Sequence, residues 1–143
     1  MKEHAITVRE GTVTDISFVC ALERTAFSDP WGEEAILAHT ESEHLCFLIA
    51  VCEGGPCGYQ LGSVIPPEGE IYRVAVLPDA RRMGVGEALC AHFLTRAEDA
   101  YLEVRKSNSA ARALYEKLGF SLMGERKNYY KDPTEDACLY KRN

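Results

Sequence analysis

The sequence predicts an α+β domain, a mixed sheet with helices packed on it. Three observations lead there. Strand-length apolar runs such as Leu45–Cys52 are punctuated by Gly/Pro turns. Two stretches carry an apolar stripe at helical spacing: Ile16, Val19, Cys20, Leu22, Glu23 and Phe27, then Ala110, Ala111, Leu114, Tyr115 and Leu118. The segments follow one another as β-α-α-β-β-β-α-β-α-β-β, an order that describes helices laid on a mixed sheet. At 143 residues the chain suits one domain over residues 1–143. A domain near this size buries roughly 68–70% of its unfolded surface, enough for a real core.

Taken in order, Ile6-Thr7-Val8-Arg9 alternates and reads as the first strand. Thr14 or Asp15 caps the first helix, and Ser28-Asp29-Pro30-Trp31-Gly32 breaks it. Residues 33–41 resume as a short helix with Ile36 and Leu37 on one face. Leu45–Cys52 is nearly all apolar, so it is a strand buried on both faces. Glu53-Gly54-Gly55-Pro56 turns the chain, residues 57–65 return as a strand, and Pro66-Pro67-Glu68-Gly69 turns again. Residues 71–77 form the next strand, 84–97 a helix and 101–104 a short strand. Ser107 or Asn108 caps the last helix, and Gly119 stands where a C′ glycine belongs. Residues 120–125 and 137–140 close the fold as strands, and no linker, repeat or low-complexity segment interrupts it.

Composition narrows the function. Hydrophobic residues make up 46% and charged residues 27%, a globular balance that argues against disorder. The net charge of −6 argues against a general nucleic-acid binder but leaves room for a local basic pocket and would attract a basic peptide. No apolar run approaches the ~18 residues that span a bilayer. Met1-Lys2-Glu3-His4 leads into a strand with no signal-peptide core, so a cytoplasmic protein without membrane contact is expected. There, Cys20, Cys46, Cys52, Cys57, Cys90 and Cys138 are expected as reduced thiols, most of them packed as small hydrophobes. A zinc site from His44, Cys46, Cys52 and Cys57 fits no familiar spacing, and no metal is expected. His4, His39, His44 and His92 read as surface or packing residues.

The segment Arg81-Arg82-Met83-Gly84-Val85-Gly86 carries the most information. It follows the apolar run Val74-Ala75-Val76-Leu77 and Pro78, and it opens into a helix. Glycines let a backbone approach a ligand where a Cβ would clash. Free N–H groups at a helix start favour an anion, and two arginines add positive charge. The segment therefore reads as a diphosphate cradle, although taken alone it is equally a tight turn before a helix. It lacks the spelling of a Walker loop, and it lacks the third glycine and the acidic residue of a dinucleotide fold.

Arg81-x-x-Gly84-x-Gly86 after Val74-Ala75-Val76-x-Pro78 resembles the acetyl-CoA loop of the GNAT N-acetyltransferase superfamily. The likeness continues through Leu102-Glu103-Val104-Arg105, Ser107-Asn108, the stretch Ala113 to Phe120, and Arg126-x-Asn128-Tyr129-Tyr130, so it covers most of the chain. Together these are similar to the ribosomal-protein-alanine N-acetyltransferase branch, which acetylates the N-terminal alanine of a small-subunit ribosomal protein. Pro30-Trp31 after an aromatic fits that branch as well. The resemblance implies a mostly antiparallel central sheet with helices on both faces. It implies acetyl-CoA as co-substrate, the N-terminal segment of a ribosomal protein as acceptor, and a monomer. It also implies that Arg82, Met83, Gly84, Val85, Gly86 and Glu87 present backbone N–H groups to the diphosphate of the cofactor. Val74, Ala75 and Val76 would run beside its pantetheine arm, with an N–H near Val76 on the developing oxyanion. Asn108 is implied as a further cofactor contact.

Acetyl transfer to an amine needs a neutral amine, donors for the oxyanion and a proton for the leaving thiolate. A peptide α-amine has a pKa of about 7.7–8.0, so a base has modest work to do and can act through water. Glu103 is the candidate base, because Leu102 and Val104 on either side point to the opposite face of their strand. Read alone, it is a solvated glutamate pairing with Arg105 or a lysine; the resemblance favours the base. Tyr115 is the candidate acid, two helical turns beyond Asn108 and on the same face. Read alone, it is as readily a core tyrosine held by a backbone carbonyl. Tyr129, Tyr130 and Trp31 suit either a peptide groove or edge packing. No cysteine stands beside a base, so direct attack is expected.

Two features depart from the family pattern. The stretch from Gly86 to Glu103 is short, so Arg96-Ala97-Glu98-Asp99 must turn the chain quickly. Glu87 stands where a basic residue is common, and its carboxylate near phosphate is unfavourable unless it points away. A small-molecule amine or a lysine side chain remains open as acceptor. So does a non-catalytic CoA-binding module, against which the pairing of Glu103 with Tyr115 weighs.

Overall fold

Seven strands build one sheet in the order β1-β2-β3-β4-β5-β7-β6 in the computed structural model, which describes residues 5–143 and so leaves His4 outside. The strands are β1 (Thr7–Glu10), β2 (Leu45–Cys52), β3 (Gly55–Ile65), β4 (Glu68–Val76), β5 (Asp99–Arg105), β6 (Ser121–Tyr130) and β7 (Glu135–Arg142). Every neighbouring pair is antiparallel except β4 with β5. The helices are α1 (Ile16–Ala26), α2 (Glu33–Thr40), α3 (Val85–Leu94) and α4 (Ser109–Lys117). Alternation along β2 explains their arrangement. Cys46, Leu48 and Ala50 join a core with Val85, Leu89 and Phe93 of α3 and Tyr115 of α4. Phe47 and Ile49 point the other way, to Val19 and Leu22 of α1 and Ile36 of α2. Helices therefore cover both faces, and a strand sandwiched between them must be apolar throughout.

Element ends differ from the sequence reading where tertiary contacts intervene. A 3-10 turn at Val13–Asp15, capped by Thr12, precedes α1; Asp15 is the N-cap residue of α1, as expected, and its Oδ2 accepts from Thr12 N–H at 2.8 Å. Asp15 is buried under the guanidinium of Arg9, which donates to both carboxylate oxygens at 2.8 and 2.9 Å. That contact holds the Asp15 carboxyl below the usual range. β4 begins at Glu68, inside the expected turn, because Glu68 and Gly69 pair with Ile65 and Val64 of β3 while Glu68–Ile71 pair in parallel with Asp99–Leu102. The short passage from α3 to β5 is made by one acceptor: the N–H groups of Glu98 and Asp99 both donate to the Pro67 carbonyl, at 2.8 and 3.1 Å. Asn108 caps α4, its Oδ1 accepting from Ala111 N–H at 3.1 Å. Gly119, at φ +95°, ends that helix, with Gly119 N–H on Glu116 O and Phe120 N–H on Tyr115 O.

One expectation is corrected. Cys52 and Cys57 are not free thiols but are joined as a disulfide across the β2–β3 hairpin. The hairpin pairs Cys52 with Gly55 and then shifts register between Ala50 and Val51, which leaves Cys57 as the extra residue. Their Cα atoms stand 5.9 Å apart, within disulfide reach. Cys20, Cys46, Cys90 and Cys138 are free and buried, packed as small apolar residues.

The feature that positions the site is a parting of two strands. Against β3, Leu61 pairs with Arg73 but Gly62 pairs with Ile71, so Tyr72 is the extra residue of a β-bulge. Gly62 is required there, since a Cβ would run into the Glu70 carbonyl oxygen. A bulge bends its strand and increases the local twist. The parallel pairing of β4 with β5 ends at Ile71 and Leu102. Beyond it, Tyr72–Val76 keep only β3 as neighbour, and Glu103–Arg105 keep only β7.

Candidate active site

A cleft of ≈ 220 Å³ opens where β4 and β5 part. Val74 of β4, Glu103 of β5, Asn108 and Tyr115 at the two ends of α4's inner face, and Tyr130 of β6 line it together. The loop after α1 closes one side with Phe27 and Asp29. The free edge of β4 faces this opening. Leu77 N–H donates to Cys57 O at 2.8 Å, so the alternate residues Val76 and Val74 turn their N–H and C=O groups away from β3. Arg81 Nε donating to Val76 O at 3.2 Å agrees with that direction.

The loop Leu77–Gly84 leads from this edge into α3. Arg82 lies at φ +68° and Gly84, the N-cap of α3, at φ +85°; the left-handed region accepts glycine at no cost. Among the described residues no acceptor is found for the N–H groups of Arg82 through Glu87. Six successive donors thus collect at the positive end of a helix, the arrangement that suits an anion. A Cβ on Gly86 would stand 3.0 Å from Leu114 Cδ2, so this end of α3 lies close against α4. Glu87 turns its carboxylate to Lys117 of α4, 3.2 Å from Nζ, and not into the ring of donors. That ion pair answers the electrostatic objection to an acidic residue here.

Glu103 projects into the cleft with its side chain 22% exposed. Its ion pair is with Arg126 Nε of β6 at 3.4 Å, not with Arg105. Three neighbours register its charge. The Glu70 carboxyl is raised by burial and then by Glu103. The Tyr129 phenol is raised by burial and then by the Glu103 carboxylate beside it. Tyr130 is pushed up to about 12, by burial first and Glu103 next. Tyr115 is buried against Phe120, ring centroids 5.5 Å apart, and burial holds its phenol well above the ordinary tyrosine range. Among the described residues the Tyr115 hydroxyl has no hydrogen-bond partner, so the cleft holds a protonated phenol not committed to a backbone carbonyl. Asn108 spends its Oδ1 on the helix cap and keeps its amide nitrogen. Among the described residues no group of three or more metal-ligating side chains converges.

Two side chains absent from the sequence reading of the site also shape it. Arg73 donates to the fully buried carboxylate of Glu23, from Nη2 at 2.7 Å and Nε at 3.2 Å, and stacks on the Phe27 ring at 3.9 Å. Glu23 also accepts from the Tyr59 hydroxyl and from Trp31 N–H. This network pins the α1–α2 loop to the bulged part of β4. A glutamate on the apolar stripe of α1 was the available signal. Arg73 carried none, because its partner lies 50 residues away.

Comparison with known proteins gives concordant findings. The Acetyltransferase (GNAT) family profile matches residues 16–120. The [ribosomal protein bS18]-alanine N-acetyltransferase of Escherichia coli (strain K12) is 34% identical over 140 residues, covering 93% of this chain and 94% of that protein. The crystal structure of the ribosomal-protein-S18-alanine N-acetyltransferase from Escherichia coli superposes with a TM-score of 0.88 at 31% identity, covering 96% of this chain and 93% of the other. Ard1 from Thermoplasma volcanium superposes with a TM-score of 0.87, also at 31% identity, covering 96% and 97%.

Proposed function

We infer, from the premise that this chain belongs to the acetyltransferase (GNAT) family, how its cleft carries out N-acetyl transfer and onto which amine. The proposed acceptor is a protein N-terminal amine, the alanine that begins a small-subunit ribosomal protein. The names of the relatives support this acceptor. The proposed setting is the cytoplasm, with the enzyme acting as a monomer. Among the described residues no helix is long and apolar enough to cross a membrane.

The residues present fit acetyl-CoA, which supplies the acetyl thioester. Arg82, Met83, Gly84, Val85, Gly86 and Glu87 hold its diphosphate through the unpartnered N–H groups. Val74, Ala75 and Val76 guide the pantetheine arm along the free edge of β4, and the N–H of Val76 is placed to hold charge on the acetyl oxygen. The Asn108 amide contacts the cofactor from the α4 side. Glu103 takes a proton from the acceptor amine, directly or through water. Tyr115 gives its phenolic proton to the leaving sulfur.

One observation carries this reading: the cleft where β4 and β5 part is lined by both the Glu103 carboxylate and the Tyr115 phenol, and the β4 edge beside it runs on into the unpartnered donors before α3. The test is mass spectrometry of ribosomal proteins and of peptides beginning with alanine, incubated with the enzyme and labelled acetyl-CoA. Label on the α-amine of the alanine is expected. Label confined to lysines or polyamines would replace the acceptor, and binding of acetyl-CoA without transfer to any amine would replace the enzyme by a binding module.

A further inference from the structure

Arg105 belongs to the β5 motif, yet the chemistry assigned to the cleft makes no use of it. It lies two residues beyond Glu103, on the same face of β5. Its side chain is only 18% exposed, and both its terminal nitrogens are engaged. From Nη2 it donates to the Lys131 carbonyl at 2.7 Å and pairs with Asp29 Oδ2 at 3.4 Å. From Nη1 it donates to the Pro133 carbonyl at 2.9 Å and to Glu135 Oε1 at 3.2 Å. The flat of the guanidinium lies 4.6 Å from the centroid of the Tyr130 ring, which lines the cleft.

These partners come from two separate segments. Asp29 belongs to the α1–α2 loop; Lys131 and Pro133 belong to the β6–β7 turn, and Glu135 opens β7 directly after it. Asp29 lines the cleft, as does Tyr130, the last residue of β6 before the turn. Asp29 is gripped a second time, through its carbonyl, by Arg73 Nη2 at 3.3 Å. Arg73 stands on β4 and Arg105 on β5, the strands that part. A single loop residue therefore bridges both sides of the opening. A guanidinium fork suits such a junction, because its donors are planar and pre-arranged, where a lysine ammonium is a point charge on a flexible stem.

We propose that Arg105 is a positioning residue for the acceptor: it clasps the α1–α2 loop to the β6–β7 turn and so sets the width of the groove that receives the acceptor chain. This rests on the acetyl-transfer reading of the cleft. The Arg105 side chain bonds neither the donor loop nor Glu103 and Tyr115, and the Asn108 N–H is held by the Arg105 backbone carbonyl, which a side-chain substitution keeps, so loss of the clasp is expected to act on acceptor binding far more than on the cofactor.

The experiment uses the full chain, acetyl-CoA and a short peptide beginning with alanine, and compares wild type with R105Q, R105K and D29N. R105Q is expected to raise the acceptor KM by about tenfold or more, since small misplacement is costly, while acetyl-CoA Kd by calorimetry stays within about twofold. R105K is expected to recover only a minor part of that loss, because it cannot reproduce the fork. D29N removes one arm and is expected to raise the acceptor KM by about threefold. Should R105Q fail to fold, D29N decides, since Asp29 is a partly exposed loop residue. An unchanged acceptor KM in both variants overturns the inference, as does a loss of acetyl-CoA affinity equal to the loss of acceptor binding. A wild-type enzyme that transfers acetyl to no peptide removes the underlying reading as well, and that arm separates the two failures.

Discussion

Arg105 and Arg126 divide the work around Glu103. Both terminal nitrogens of Arg105 are held by the α1–α2 loop and the β6–β7 end, which leaves Glu103 a single long ion pair to Arg126, whose side chain is 58% exposed. An exposed pair of that kind is weak and easily displaced by an incoming amine. Replacing Glu103 by Gln keeps the shape and removes the proposed proton acceptor. The expected loss in kcat is about 10²–10⁴, with acetyl-CoA binding by calorimetry unaffected. Tyr115→Phe removes the proposed donor hydroxyl and is expected to lower kcat in the same range by steady-state assay. Two variants with wild-type turnover would remove both assigned roles. Glu23 is a structural counterpart, a buried carboxylate with Arg73, Tyr59 and Trp31 as partners. Glu23→Ala leaves the Arg73 cation without its counter-charge, and urea unfolding should show a loss of about 3–5 kcal/mol. Glu103, Tyr115 and Asn108 were legible because they sit in short motifs. The Glu23–Arg73 pair was not, because no local pattern links residues 23 and 73. Nor did spacing foretell that Arg105 turns away from its neighbour Glu103.

At the scale of elements, β2 could be bounded from the sequence because burial on both faces makes its apolar run continuous. The start of β4 could not. Glu68 and Gly69 look like turn residues, and only their partners on either side, Val64 and Ile65 of β3 and Asp99 and Ala100 of β5, make them a strand. The Cys52–Cys57 bond was hidden for a related reason, since it depends on a register shift in the hairpin. The Tyr72 bulge, which opens the cleft, also had no signature beyond Gly62. Gly62→Ala forces the added methyl against the Glu70 carbonyl, and a thermal melt should show overpacking destabilisation of about 1–3 kcal/mol. Activity should fall with it, because the bulge shapes the opening. The 3-10 turn before α1 makes a pH prediction. Arg9 lowers the Asp15 carboxyl in the folded state, so its contribution is complete above the unfolded value near ~4 and is lost as pH falls through the folded value. The stability difference between wild type and Asp15→Asn should therefore be largest near neutral pH and shrink below about pH 4, followed by urea titrations across that range.

Across the whole molecule the sheet behaves as two halves joined at one short parallel ladder. β1 to β4 form one antiparallel set and β5, β7 and β6 the other, and Glu68–Ile71 with Asp99–Leu102 is the seam. Helices α3 and α4 pack over that seam on one face, and α1 and α2 cover the first half on the other. Apart from the β1 and β6 edges of the sheet, such a plan leaves strand donors unpaired where the halves separate, on the outer edge of β4, from which the chain runs on to the start of α3. Buried or partly buried N–H groups seldom lack acceptors unless water or a ligand supplies them. Hydrogen exchange should therefore separate two classes of amide. Those of the β2–β3 and β5–β7 ladders should exchange slowly with or without acetyl-CoA, because their acceptors lie within the sheet. The amides of Arg82 through Glu87, with Val74 and Val76, should exchange quickly in the free protein and slow by about tenfold or more at saturating acetyl-CoA. Protection spread evenly over both halves would mean that the cofactor only rigidifies the molecule. Protection absent from residues 82–87 would mean that the diphosphate is held somewhere else.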